Sequence, residues 1–196
     1  PSVVAETVDL RERRLTGSVG GTFRTLFLST EAPIRAIGPG QDGFDAVEVQ
    51  FPYEAEPEVL ARARADAGVE VVILNTPLGD PAKGEAGFAA VPGRQDDFRA
   101  GVIEARRYAE ALGCRLVHVL AGAPGPEADR EACLDLYAEN LAWAGEQLEP
   151  AGVGVLVEPI NDRDRPDYFI HTSDQAIAAI AKSGRSNVGL LCDVYH

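Results

Sequence analysis

Two carboxylates and an imidazole follow apolar segments late in the sequence. Glu158 comes directly after Val153–Val157, Asp193 directly after Gly189–Cys192, and His196 three residues later. A carboxylate at the end of an apolar strand is costly to bury alone, and two on adjacent strands repel each other unless a cation or a proton lies between them. With an imidazole they suit a divalent ion such as Mg²⁺ or Mn²⁺. The alternative is that loop amides satisfy each carboxylate separately.

Three other polar residues lie in or at the end of apolar segments. Glu48, inside Ala46–Val49, either supports the site from behind or forms an outward salt bridge. Asn75 ends its segment, where it contacts a ligand or caps a loop. His118 alternates with apolar neighbours, which is typical of a hydrogen-bonded core histidine. These residues are therefore weaker candidates for chemistry.

The elements that position these residues are apolar runs of strand length alternating with amphipathic stretches of helical spacing. The predicted strands are Thr22–Leu28, Ala46–Gln50, Val69–Leu74, Arg115–Leu120, Val153–Glu158 and Val188–Val194. Helices are predicted over roughly 57–67, 98–112, 134–148 and 174–182, the last with Ser173 as its N-cap, and a short or irregular helix over 31–43. This alternation predicts a mostly parallel sheet, either a barrel or an open doubly wound sheet.

Loop lengths indicate which end of the sheet carries the site. Connections from helix to strand are tight, whereas those from strand to helix are long, at 75–95, 121–126 and 159–172. In barrels and open α/β sheets alike, the carboxyl ends of the strands carry the active site. The first long connection is rich in Gly and Pro, and we predict that it forms a shaped lid over that site.

Composition excludes several classes of function. The chain of 196 residues carries 18 basic and 31 acidic side chains, a net charge of −13 that repels phosphate backbones and argues against nucleic acid. No apolar run is long enough to span a membrane, and no basic stretch leads into an apolar segment at the start, so we expect neither a membrane span nor a secretory signal. Three cysteines at wide spacing suit a reducing compartment, so we predict a cytoplasmic protein.

The domain organisation predicted is a loosely ordered leader at 1–20, with a short strand or a capping segment as the alternatives, followed by one barrel domain at 21–196. A (β/α)8 barrel usually needs about 250 residues. We therefore expect an incomplete TIM barrel with about six of eight βα units, as a fragment or a truncated copy. The uncovered sixth strand predicts association between copies of the chain, as a homo-oligomer or an aggregate.

Several motifs resemble the hydroxypyruvate isomerase family. They are Gly43–Glu48 with Phe51–Tyr53, Gly79-Asp80 with Gly84-Glu85 and Val91–Arg94, the block Val157–Asn161 continued by Arg163-Asp164, Pro166 and Tyr168-Phe169, and Cys192–His196. Together they cover roughly 43–196 in the order and spacing of that family. Pro81 stands where the family lid usually carries Trp, and Asp167 where it usually carries Gly.

The resemblance implies a xylose-isomerase-like TIM barrel that interconverts hydroxypyruvate and tartronate semialdehyde with a divalent metal. By the same resemblance, Glu158 is metal ligand and acid/base, Asp193 is a metal ligand, and His196 contacts a substrate oxygen. Moving a carbonyl between neighbouring carbons needs a base for one carbon and an acid for the other. A divalent ion across the two substrate oxygens stabilises the charge that develops there.

Other functions stay open on the sequence. The family takes two further ligands, one of them a second catalytic Glu, from strands seven and eight, which we do not expect here. This chain is therefore either part of an active isomerase or a catalytically dead barrel that acts as a binding domain. Within the same fold, a 2-oxo-tetronate isomerase and a ketose epimerase are the alternatives. A DNA-repair endonuclease is disfavoured by the net charge of −13.

Overall fold

The computed structural model describes residues 14–18, 22–28, 46–193 and 195–196. Within them, seven strands form one sheet in sequence order: β1 (Arg14–Ser18), β2 (Thr22–Leu28), β3 (Ala46–Val49), β4 (Glu70–Asn75), β5 (Leu116–His118), β6 (Gly154–Val157) and β7 (Val188–Leu190). β1 pairs antiparallel with β2, and every later pair is parallel. Sequential parallel strands with helical crossovers make an incomplete α/β barrel, as predicted.

In the described ranges, four α-helices lie between the parallel strands: α1 (Pro57–Ala67), α2 (Gln95–Leu112), α3 (Arg130–Leu148) and α4 (Ser173–Ser183). Short 3₁₀ helices occupy Pro52–Glu54, Pro81–Lys83 and Glu149–Ala151. All six predicted strands and four of the predicted helices are present, whereas the helix predicted over 31–43 lies outside the described residues. Part of the predicted leader, Arg14–Ser18, forms β1. The predicted N-cap was wrong by one residue, because Thr172 caps α4 in a capping box with Gln175.

The core lies between the sheet and the helices. On α2, the apolar residues at helical spacing are all buried: Phe98, Val102, Ala105, Ala109 and Leu112. A smaller cluster of Ile73, Leu156 and Leu191 fills the opposite, inner face of the sheet. Because side chains alternate along a strand, residues two positions further on share that inner face. Two positions after the three residues of this cluster come Asn75, Glu158 and Asp193. Their side chains are therefore expected on the same inner face.

The amino ends of the strands are closed by tight turns. Each of the four helix-to-strand connections contains a glycine with a left-handed backbone, at Gly68, Gly113, Gly152 and Gly184, with φ between 64° and 68°. Their N–H groups bond to carbonyls of the preceding turn. These caps satisfy the backbone at the end of each helix.

None of the helices in the described part of the chain is long and apolar enough to cross a membrane.

Candidate functional site

A cavity of about 260 Å³ lies at the carboxyl ends of the parallel strands. Polar side chains from successive strands and the segments after them line it: Glu48, Asn75, His118, Glu158, Asp193 and His196. All five residues that the sequence placed at the site, Glu48, Asn75, Glu158, Asp193 and His196, thus share one cavity. Parallel strands produce this convergence because their carboxyl ends meet at the same edge of the sheet.

Glu158, Asp193 and His196 form a group that fits a divalent cation. One ligand atom from each residue lies within 4.8 Å of the other two, and all three side chains are half-buried. Burial, and then the charge of Asp193, raises the pKa of Glu158 to about 8. Without a cation, the surroundings of Glu158 therefore disfavour the ionised form of its carboxyl group. Two carboxylates beside an imidazole are the donors that Mg²⁺ or Mn²⁺ accepts.

Behind these groups lie three buried polar residues. His118 Nδ1 is 3.4 Å from Glu158 Oε2. Among the described residues, neither ring nitrogen of His118 has a hydrogen-bond partner, and burial lowers its pKa to about 3. The expectation of a hydrogen-bonded core histidine was therefore wrong about the bonding. Asn75 Oδ1 also has no partner in the part of the chain that the structure describes. Burial, followed by the charges of Glu158 and Asp193, raises the pKa of Glu48 well above its usual range.

His196 is held by the loop that follows β6. Asn161 Nδ2 lies 2.9 Å from His196 Nδ1, and the backbone N–H of Asn161 lies 3.4 Å from the same atom. The N–H of His196 donates to the Asp193 carbonyl at 3.1 Å. Burial lowers the pKa of His196, although Asp193 and Asp164 oppose that shift. The imidazole therefore has a defined position beside the carboxylates.

The predicted lid is the connection from β4 to α2, and it is braced by charged groups. Glu85 accepts from the N–H of Asp80 and from Arg94 Nη1, each at 2.7 Å. Arg94 also bonds Asp97 at 2.6 Å and lies over the Phe88 ring at 4.1 Å from its centre. These contacts connect the first part of the loop, at Asp80 and Glu85, with the last part, at Arg94.

The lid also packs against the segment after β5. Gly87 pairs with Ala121 in an isolated antiparallel bridge. The N–H of Ala90 donates to the Ala121 carbonyl at 2.7 Å. Leu78 and Ala86 of the lid line the cavity, so the loop forms part of the wall of the site.

Arg165 and Tyr168 also line the cavity. Neither of them was predicted from the sequence as a site residue. Arg165 is the one lysine or arginine in the described wall, and its Nε lies 3.5 Å from Asp167 Oδ1. Tyr168 accepts a hydrogen bond from the N–H of Ala121 at 2.9 Å. Both residues lie in the long β6–α4 connection. The feature of the sequence that could have identified Arg165 is a basic residue in a long loop from a strand to a helix.

Comparison with known families and proteins gives consistent matches. The family described as xylose isomerase-like TIM barrel matches residues 41–196. A human protein named putative hydroxypyruvate isomerase is 46% identical over 169 residues, which cover 84% of this chain and 61% of the relative. A 2-oxo-tetronate isomerase from Cupriavidus necator is 45% identical over 163 residues, covering 83% of this chain and 62% of the relative. The chain thus spans about three fifths of the length of these curated relatives.

Solved structures agree with the fold. A Brucella melitensis protein described as an AP endonuclease of family 2 superposes with a TM-score of 0.82 at 37% identity, covering 89% of this chain and 69% of that one. An L-ribulose 3-epimerase superposes with a TM-score of 0.60 at 22% identity, covering 76% of this chain and 50% of that one. The second match is evidence for the fold alone.

Proposed function

This chain belongs to the xylose isomerase-like TIM barrel family, and on that premise we propose that it serves as a keto-acid isomerase that interconverts hydroxypyruvate and tartronate semialdehyde. The resemblance to hydroxypyruvate isomerases is confirmed by relatives that carry that name. The observation that carries the proposal is the convergence of Glu158, Asp193 and His196, with ligand atoms within 4.8 Å of one another.

In the proposed reaction, Glu158 and Asp193 would hold a divalent ion, whose positive charge would stabilise the negative charge that develops on the substrate. Glu158 is also the acid/base that takes a proton from the substrate carbon next to the carbonyl, and the second catalytic Glu that the family resemblance implies would deliver a proton to the neighbouring carbon. Without the ion, burial raises the pKa of Glu158 to about 8, and the positive charge of a bound ion would favour the ionised carboxylate that accepts the proton. His196 donates a hydrogen bond to a substrate oxygen.

The substrate class is supported by the size and charge of the cavity. Its volume of about 260 Å³ suits a small acid of three or four carbons. The wall is rich in carboxyl groups, at Glu48, Glu158 and Asp193, so the carboxylate of a keto acid needs a cationic partner there. Arg165 is the side chain that supplies it. A neutral ketose needs no such partner. The presence of Arg165 in the wall therefore favours a keto acid over the substrate of an epimerase.

A 2-oxo-tetronate isomerase is the second candidate function. The Cupriavidus necator relative with that name is 45% identical, nearly as similar as the human relative at 46%. Both substrates carry a carboxylate beside a carbonyl, so the same residues serve either reaction. The ratio of kcat/KM values for the two acids decides between them.

The test is an isomerase assay of the protein carrying this sequence, with Mn²⁺, with Mg²⁺ and with a chelator. We expect loss of hydroxypyruvate and formation of tartronate semialdehyde with the metal, and no turnover with the chelator. Turnover that a chelator does not change would contradict the metal. Conversion of a ketose without any turnover of keto acids would reject the proposed substrate class.

The role of Arg165 has a matched control within the same loop. Arg165→Gln should raise KM for the keto acid by about tenfold or more, because a charge-assisted contact with the substrate is lost. Arg163 is exposed, so Arg163→Gln makes the same change of charge away from the cavity and should leave KM unchanged. Equal effects of the two substitutions on KM would show that Arg165 acts only through the net charge of the protein and not through a contact with the substrate.

A further inference from the structure

We propose that Asn161 is a positioning residue that fixes the proton of neutral His196 on Nε2, so that His196 is a hydrogen-bond donor to the substrate and not a ligand of the cation. The part of this inference that concerns the substrate rests on the proposed function. The part that concerns the proton rests on hydrogen bonds alone.

The orientation of the Asn161 amide is determined by its other contacts. Its Oδ1 accepts from the backbone N–H groups of Arg163 at 3.1 Å and Asp164 at 2.9 Å. Its Nδ2 donates to Asp164 Oδ2 at 2.9 Å. A flipped amide would place its NH₂ against two N–H donors and its oxygen against a carboxylate. The orientation therefore follows from the chemistry of its partners and not from the histidine.

This orientation determines what His196 Nδ1 can do. The Asn161 Nδ2 group that faces Nδ1 at 2.9 Å is a donor, and so is the backbone N–H at 3.4 Å. Two donors at one ring nitrogen require that nitrogen to be the acceptor. In a neutral imidazole the proton then lies on the other nitrogen, Nε2.

The cation site changes as a consequence. With the Nδ1 lone pair engaged by Asn161 and a proton on Nε2, neither nitrogen of His196 has a lone pair for a metal. Of the three residues that converge within 4.8 Å, only Glu158 and Asp193 are then ligands. His196 instead presents an N–H from beside the two carboxylates, where a substrate oxygen can accept it.

His171 provides an internal contrast on the same connection. Its Nδ1 lies 2.8 Å from the carbonyl oxygen of Ile160, and a carbonyl can only accept. His171 must therefore carry its proton on Nδ1. Two histidines that contact neighbouring residues of one loop are thus expected to be opposite tautomers.

The two tautomers are distinguishable by NMR of the ¹⁵N-labelled protein at pH 8.5 without metal, where neutral imidazoles dominate. Two-bond correlations between ring protons and ring nitrogens show which nitrogen carries the proton. The chain has three histidines, so His171→Gln and His196→Gln assign the signals. We expect the Nε2–H pattern for His196 and the Nδ1–H pattern for His171. The Nδ1–H pattern at His196 would overturn the inference, whether or not the protein proves to be an isomerase.

Asn161→Asp tests the cause of the tautomer. The substitution keeps an oxygen for the two backbone donors but replaces the Nδ2 donor at 2.9 Å with a charged acceptor. The backbone N–H of residue 161 stays at the longer distance of 3.4 Å, so the nearer carboxylate should draw the proton of His196 to Nδ1. Arg163→Gln makes the same change of charge in the same turn and should leave the tautomer on Nε2. A tautomer that is unchanged in Asn161→Asp would contradict the role of Asn161, and the wild-type spectrum decides the question if that variant fails to fold.

Two functional measurements complete the test. Asn161→Asp should lower kcat by about 10- to 100-fold, as for other partners that orient a functional group, while Arg163→Gln leaves it unchanged. In calorimetry with Mn²⁺, Asp193→Asn should weaken binding more than about tenfold, because a ligand is lost. His196→Gln should change the Mn²⁺ affinity less than about threefold. Equal losses in Asp193→Asn and His196→Gln would make His196 a ligand and overturn the inference.

Discussion

The two ends of the parallel strands are built on different principles. At the amino end, short turns close each helix, and their glycines bond the backbone to itself. At the carboxyl end, long loops surround carboxyl groups whose pKa values are raised by burial, as at Glu48 and Glu158. Polar atoms of Asn75 and His118 lie there with no partner from the described segments. The first arrangement stabilises the fold, whereas the second costs stability and leaves polar groups free to bind a ligand.

This difference predicts opposite responses to substitution. Removing a polar group at the carboxyl end should stabilise the protein without metal and abolish its activity. Altering a turn at the amino end should destabilise the protein and leave its affinity for the metal unchanged.

Glu158→Gln is expected to have the largest effect on activity. The variant lacks the proposed base and a metal ligand, so kcat/KM for hydroxypyruvate should fall by at least about a thousandfold. Glu158→Asp, which keeps the charge but shortens the side chain, is the matched control and should retain part of the activity and the metal affinity. Wild-type rates in Glu158→Gln would remove this residue from the mechanism.

The same substitution should change how stability depends on pH. Burial and the charge of Asp193 raise the pKa of Glu158 from its ordinary value of 4.5 to about 8, so the folded protein keeps this proton to higher pH than the unfolded chain. Stability without metal is therefore lost as the pH rises from about 4.5 to 8. Glu158→Gln should be more stable than wild type, by about 2 kcal/mol more at pH 8.5 than at pH 6. Urea unfolding at both pH values measures this, and an equal difference at both would contradict the shift.

Gly87→Ala tests the lid at the carboxyl end. Gly87 has φ of 93°, and an added Cβ would lie 2.6 Å from the Leu120 carbonyl oxygen. We expect a loss of about 3 kcal/mol in the free energy of unfolding, since backbone strain and overpacking act together. Gly84→Ala is the control, because its φ is 76° and nothing lies within 4 Å of the added Cβ. Gly84→Ala should lower the free energy of unfolding by about 1 kcal/mol. Equal losses in the two variants would show that Gly87 does not pack against Leu120.

Binding of Mn²⁺ should release a proton from the carboxyl end. Glu158 is mostly protonated below a pKa of about 8, and a ligand must lose its proton. The affinity should therefore rise with pH by up to about tenfold per unit below pH 8 and level off above it. Calorimetry at pH 7 in two buffers of different ionisation enthalpy measures the release. Release of no proton would show that Glu158 is already ionised.

Gly68→Ala is the matching test at the amino end, and its effect should be the smallest. Gly68 has φ of 66° with open space around it, so only the left-handed backbone opposes a side chain. We expect a loss of about 1 kcal/mol in the free energy of unfolding. The Mn²⁺ affinity and the turnover of keto acid should not change, and a loss of either would break the division between the two ends.

The sequence predicts that the carboxylates lie at the ends of adjacent strands, but it does not predict which residues contact them. Glu158 and Asp193 could be predicted because each follows an apolar run, and parallel strands bring such ends together. The pairing of Asn161 with His196 could not, because both residues lie in irregular segments whose path has no periodicity. Arg165 was passed over as a site residue for the same reason. His118 fitted the pattern of a core residue, and its unpartnered nitrogens become apparent only when the surrounding atoms are placed.

The bracing of the lid also bears on how quickly a ligand would reach the cavity. Glu85, Arg94 and Phe88 hold the loop in shape with contacts that exist before anything binds. A loop that is already ordered loses little conformational entropy when a ligand arrives. The rate of capture should then increase in proportion to ligand concentration, without the plateau that a slow rearrangement imposes.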